Sequence, residues 1–200
     1  MSFAKHITSE EIEHMEQAVF PGEITVIDNR DKIFEDAISY LSSQDIIGFD
    51  TETKPCFLPH APRHKMALLQ LSGQSRAFLF RLHQLGVPQK LADLLSNKGV
   101  LKIGAAVRDD IRGLQEYNKF EPGGFVDLQK MTEDFGIEEK SVRKMSAIIL
   151  KKRVSKSQQL SNWENFKLSP AQMKYAATDA WICCEMYNRL KRHKWFRIFS

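Results

Sequence analysis

Apolar positions follow two rhythms along this chain. Between residues 45 and 82 they come in short dense runs separated by polar punctuation: DIIGFDTET, MALLQLSG and RAFLFRL. Runs this short, rich in branched and aromatic residues, predict strands. Only SGQS divides the second from the third, which predicts an antiparallel hairpin. VLKIGAA reads as a buried central strand and FVDL, after the loop EPGG, as a brief fifth. Elsewhere the spacing is helical. Ile33, Phe34, Ala37, Tyr40 and Leu41 repeat at three and four residues over 31–42. PQKLADLLSN, with Gly99 just past its end, RDDIRGLQEY, and the segments around 127–136 and 141–151 follow the same rule. A long last helix starts after LSPAQ, with Ser169 as N-cap and Pro170 in its first turn. Near the start, Thr8 and Glu11 have the spacing of a capping box for a short helix running to about Val19, which FPGE then breaks.

Strands first, then strands alternating with helices, predict an α/β fold whose mixed five-stranded sheet is covered by helices. No repeat or linker divides the chain, so 31–200 reads as one domain and 1–30 as an N-terminal extension packed on it. Composition adds exclusions. With 42% hydrophobic and 27% charged residues the chain is neither disordered nor fibrous. No apolar run approaches the roughly eighteen residues of a membrane span. MSFAKHITSE has no apolar stretch of the kind a secretory signal needs. Three cysteines, two of them adjacent, offer neither a disulfide framework nor zinc spacing. A soluble, cytoplasmic protein with reduced thiols is expected. The net charge of +4 is compatible with a polyanionic partner without demonstrating one. Its basic residues gather in LKKRVSK and LKRHKWFR, although a solvated lysine face explains each run equally well.

The candidate chemistry lies in the acids. Asp50 and Glu52 are two apart on a strand, so their carboxylates leave one face side by side. Such a pair is either the polar exit of the strand or a place for a cation, and hard oxygen donors favour Mg²⁺ or Mn²⁺ over zinc. In the last helix Tyr175 and Asp179 are one turn apart, at the border of the stripe Ala176, Ala180, Cys183 and Tyr187. A carboxylate at that border is placed to add a third ligand. Asp109 and Asp110 open a helix behind the small residues Gly104, Ala105 and Ala106, where an acid also complements the helix dipole.

In this order Asp50-x-Glu52, Asp110 with Leu114 four residues on, and Tyr175-x-x-x-Asp179 resemble the three motifs of the DEDD superfamily of 3′–5′ exonucleases. The tyrosine is that of the DEDDy branch, which includes ribonuclease D and the Werner-syndrome exonuclease domain. ALLQLS, LKIGAAVRDD and SNWENFKLSPAQMKYAATDA resemble the latter pattern, and the likeness covers roughly residues 30 to 192. It implies a ribonuclease H-like sheet, with strands one to three antiparallel and the later ones parallel. It assigns the second motif to Asp110, because Asp109 would pair with Gly113; Asp109 is left as an outer-shell acid.

The resemblance further implies that Asp50, Glu52, Asp110 and Asp179 hold two divalent cations, Mg²⁺ or Mn²⁺, about 3.5–4 Å apart. Asp50 would bridge both, Glu52 and Asp179 would complete the first site, and Asp110 would serve the second. Tyr175 would orient the attacking water. The expected partner is a nucleic acid with a free 3′ end, single-stranded or frayed, yielding nucleoside 5′-monophosphates. The chain has no room for the helical domain that often accompanies ribonuclease D, which tilts the expectation toward DNA or small oligonucleotides. Candidate substrate contacts are Thr51, Phe57, Met66, Lys152 and Arg153, with Lys151 and Lys156 beside the last two; apolar packing is the commoner use of Phe57 and Met66. His60 and His64 read as an exposed loop, Trp163 as a packing anchor, and Cys183 and Cys184 as buried and idle. The competing reading is a catalytically silent nucleic-acid- or protein-binding module that kept the fold.

Overall fold

A computed structural model describes residues 2–56 and 64–198, with side chains described through His193. The elements in chain order are α1 Ser9–Glu13, β1 Glu23–Ile27, α2 Lys32–Ser42, β2 Ile46–Thr53, β3 Met66–Ser72 and β4 Arg76–Arg81. There follow α3 Leu82–Leu85, α4 Gln89–Ser96, β5 Leu101–Gly104, α5 Val107–Gln115, β6 Phe125–Asp127 and α6 Leu128–Met131, which runs into a 3-10 turn at Thr132–Phe135. α7 Val142–Leu150 and the long α8 Pro170–Ile198 complete the chain. No helix among the described residues is long and apolar enough to cross a membrane.

The mixed sheet has the order β1-β4-β3-β2-β5-β6. β2, β3 and β4 form an antiparallel meander, while β5 joins β2, and β6 joins β5, in parallel. This is one strand more than the pattern predicts. The sixth, β1, comes from the segment expected to be only an extension, and it pairs parallel to the outer edge of β4. Five residues between Pro-Gly and Asp-Asn, with only Ile27 fully buried, make too short a run to stand out. The capping box at Thr8 and Glu11 forms, yet α1 stops at Glu13 rather than near Val19. After a turn at His14 and Met15 the chain instead runs beside Arg153, with one parallel bridge from Gln17. The Ala18 N–H donates to the Arg153 carbonyl (2.9 Å) and the Arg153 N–H to the Glu16 carbonyl (3.0 Å).

Helices cover both faces. Phe34, Leu41, Phe49, Phe78, Phe80 and Leu91 build the core between the sheet and α2, α4 and α5. On the other face Ile103, Leu128, Ile148, Ile182 and Met186 join β5 to α7 and α8. β5 holds one polar exception: Lys102 is fully buried and donates to the carbonyls of Leu94, Asn97 and Val100 (3.2, 2.7 and 2.8 Å), closing the end of α4.

One contact decides where α8 lies. A Cβ on Gly48 would stand 1.9 Å from the Ala180 carbonyl oxygen, so the helix backbone rests directly on β2. Ser169 caps the helix: the Gln172 N–H donates to its hydroxyl (3.2 Å), and the Gln172 side chain accepts from the Ser169 N–H (3.0 Å). Gly48→Ala should destabilise the protein by about 1–3 kcal/mol, because helix backbone cannot yield as a side-chain tip does. Urea unfolding measures this; a variant of parental stability would contradict the close seating of α8.

Candidate active site

The close seating of α8 on β2 brings the acids together. Asp50 and Glu52 follow Gly48 on the face of β2 that meets α8, and Asp179 adjoins Ala180 on the helix. Asp50, Glu52 and Asp179 each offer a carboxylate oxygen within 4.8 Å of the others. Three like charges this close resist ionisation. Burial first, then Asp179 and Asp110, holds Asp50 well above the usual carboxylate range. Burial and the Asp50 charge push Glu52 up to about 9, and burial raises Asp179 to about 7 against an opposing hydrogen bond from Tyr175. Asp179 Oδ1 is buried and accepts no hydrogen bond. Hard oxygen donors, mutual repulsion and an unserved lone pair together fit divalent cations of the Mg²⁺ or Mn²⁺ kind. The thiol one turn along, Cys183, is buried and pushed up, so it stays protonated and outside such a ligand set.

Asp110 stands apart from that group of three. It reaches β2 from α5, where its carboxylate accepts a hydrogen bond from the Thr51 hydroxyl (2.7 Å). Burial raises it to about 6, with the Thr51 bond opposing. Thr51 alternates with Asp50 along the strand, so its hydroxyl ties the opposite face of β2 to α5. Asp109 turns outward, its side chain 88% exposed beside Arg112 (3.3 Å), which makes Asp110 the acid facing the sheet. Tyr175 is half-buried, its ring 6.0 Å from that of the fully buried Trp163. Burial and then Asp179 push its phenol above its ordinary value, leaving a protonated hydroxyl at the edge of the acids.

A cleft of about 310 Å³ opens over Asp50, Glu52, Tyr175 and Asp179. Its cationic wall consists of Arg143, on α7, and the exposed Lys156. Arg143 also pairs with Glu13 of α1. Of the basic residues singled out by sequence, Lys156 lines the cleft, whereas Lys152 pairs with Glu16 (2.8 Å) and Arg153 donates to the Met15 carbonyl (3.0 Å). Both are engaged by the N-terminal segment, whose docking no local pattern announces. Arg143 was missed for a related reason: an arginine in the first turn of an amphipathic helix reads as solvated. Met66 packs over Gly113, beside a second cleft of about 690 Å³ that also reaches Asp110. Phe57 and His60 lie outside the described residues, and His64 is half-buried with Nδ1 3.6 Å from Glu164.

Comparison with known proteins agrees with this geometry. Residues 25–194 match a family model described as 3′–5′ exonuclease. The chain is 33% identical over 162 residues to the bifunctional 3′–5′ exonuclease/ATP-dependent helicase WRN of Mus musculus. That match takes in 78% of this chain and 12% of the mouse protein, so the chain spans only a small part of that relative's length. Its structure is similar to the EXO domain of Aedes aegypti Nibbler, with a TM-score of 0.74 and 25% identity over 88% of this chain and 91% of that one. Escherichia coli RNase D, an exoribonuclease involved in structured RNA processing, shares the fold with a TM-score of 0.71 at 18% identity, covering 85% of this chain and 46% of its own. By its acids, its fold and this match along most of its length, the chain belongs to the 3′–5′ exonuclease family of phosphodiester hydrolases.

Proposed function

We propose that this chain hydrolyses nucleic acid from a 3′ end, one nucleotide at a time, releasing nucleoside 5′-monophosphates. The observation that carries the reading is the group Asp50, Glu52 and Asp179, within 4.8 Å of one another and with a buried oxygen of Asp179 unserved. These three acids and Asp110 would hold two divalent cations, which when bound supply Lewis acidity toward the phosphodiester and offset its charge. The remaining roles belong to this chain's side chains. Thr51 fixes the Asp110 carboxylate. Lys156 and Arg143 face the acids across the cleft, where they offset phosphate charge without reading sequence. Tyr175 keeps its proton and positions water by hydrogen bonding at the edge of Glu52 and Asp179.

Tyr175→Phe removes that hydroxyl and keeps the ring packed on Trp163. Turnover should fall about 10–100-fold while Mn²⁺ affinity stays at the parental value. Single-turnover rates and calorimetry report the two quantities separately, and a parental rate would remove the tyrosine from the mechanism.

DNA is placed ahead of RNA as substrate. The chain is 25% identical over 155 residues to the DNA polymerase I of Aquifex aeolicus, a likeness that supports this order. The test is a panel of single-stranded DNA, recessed duplex DNA and RNA, each with Mg²⁺ and with Mn²⁺. Stepwise 3′ shortening, fastest on DNA, is the expected result. If no substrate shortens with either metal, the protein is a silent binding module of the same fold.

A further inference from the structure

Gln70 is fully buried on β3, and neither its side-chain nitrogen nor its oxygen has a hydrogen-bond partner. Native interiors seldom leave an amide in that state, because burial removes the water that served it. The position of Gln70 in the sheet identifies the missing partner. β2 and β3 run antiparallel with Asp50 directly opposite Gln70, so the two side chains leave the same face with Cβ atoms about 5 Å apart. Among the diagonal neighbours on that face, Glu52 of β2 and Arg81 of β4 both stand opposite Leu68, one pair further along than Asp50. Leu79 stands opposite on β4, Leu68 two residues away, and Ser72 donates its hydroxyl to the Gly73 carbonyl (2.8 Å). Among the described residues no side chain donates to the Asp50 carboxylate, the acid in the middle of the site.

We propose that Gln70 is a positioning residue of the metal site, its side-chain N–H donating to the Asp50 carboxylate when cations are bound. This rests on the two-cation reading above. A carboxylate shared between two cations must present both oxygens at set angles, and a fixed donor behind it holds those angles; such outer partners govern metal affinity as well as rate. It also explains why a strand whose neighbouring positions are Leu carries a buried amide at this register. With cations held, the amide of Gln70 and Asp179 Oδ1 would both gain a partner.

The rival partner is Trp163 Nε1, which with Arg81 Nε is a buried donor left unpaired, and which lies in a cluster with Leu68, Leu79 and Ala176. That pairing would make Gln70 structural only. Gln70→Met keeps the volume and removes both polar atoms, and two measurements separate the cases. In chelator, the melting temperature should match or exceed that of the parent, because an unserved buried amide has been removed. Titration calorimetry should show Mn²⁺ affinity lower by about tenfold or more. Parental Mn²⁺ affinity in the variant overturns the proposal. Should affinity and metal-free stability both fall, Trp163→Phe decides: an equal loss of affinity there overturns the assignment, and an intact affinity sustains it. A parent that binds no Mn²⁺ defeats the two-cation reading and this inference with it.

Discussion

Asp50→Ala should lower the rate of 3′ shortening by about a thousandfold or more and leave the metal-free fold intact, indeed more stable. Partners behind a metal ligand already cost about 10–100-fold when removed, and removing a residue that would itself hold a cation should cost more. The Asp50 charge helps to raise Glu52, and Asp50 is itself raised by burial and then by Asp179 and Asp110. Truncating it leaves Asp110, tied to Thr51 on the far face of β2, with no carboxylate linking it to Glu52 and Asp179. The gain in metal-free stability has the same origin, since one of three crowded carboxyls is removed from a buried place. Loss of activity through general unfolding would lower the melting temperature instead, so the two readouts move in opposite directions. Degradation of a labelled single strand at the parental rate, in Mg²⁺ or Mn²⁺, would sink the two-cation reading.

What was legible in the sequence, and what was not, divides along physical lines. Asp50 and Glu52 were legible because a strand has a period of two, and Tyr175 and Asp179 because a helix brings residues four apart together. Each reading needs only local geometry. Convergence of the elements is a tertiary fact, and its cause, the bare backbone at Gly48, looks like any strand glycine until α8 is seen resting on it. Basic residues were the least readable. Lys152, Arg153 and Lys156 sit within five positions, yet two turn to the N-terminal segment and one to the cleft, according to contacts made more than a hundred residues away in sequence. Buried polar residues within strands fall in the same class. Lys102 and Gln70 interrupt apolar runs, and only the surroundings show one satisfied by three carbonyls and the other unserved.

The crowding of acids also fixes how stability should depend on pH. Glu52 is raised from 4.5 to about 9, Asp179 from 3.8 to about 7 and Asp110 from 3.8 to about 6. Between those ordinary and raised values the folded protein holds protons that the unfolded chain has released. Unfolding then releases protons, and stability falls as pH rises. The stability these groups contribute is therefore complete below about pH 4 and lost progressively through the folded values. Lys102 runs the other way: burial lowers it to about 8, so it favours the fold increasingly between pH 8 and its ordinary 10.5. Measurements in chelator from pH 5 to 8 avoid that contribution, and there the melting temperature should drop by several degrees. Glu52→Gln should flatten part of the slope, and the difference between parent and variant removes any contribution from histidines. Mn²⁺ must displace the same protons, so the melting temperature it adds should grow over this range as the acids release them. A parental curve no steeper than that of Glu52→Gln, or a Mn²⁺ shift as large at pH 5 as at pH 8, would mean that the three carboxyls are not held together as described.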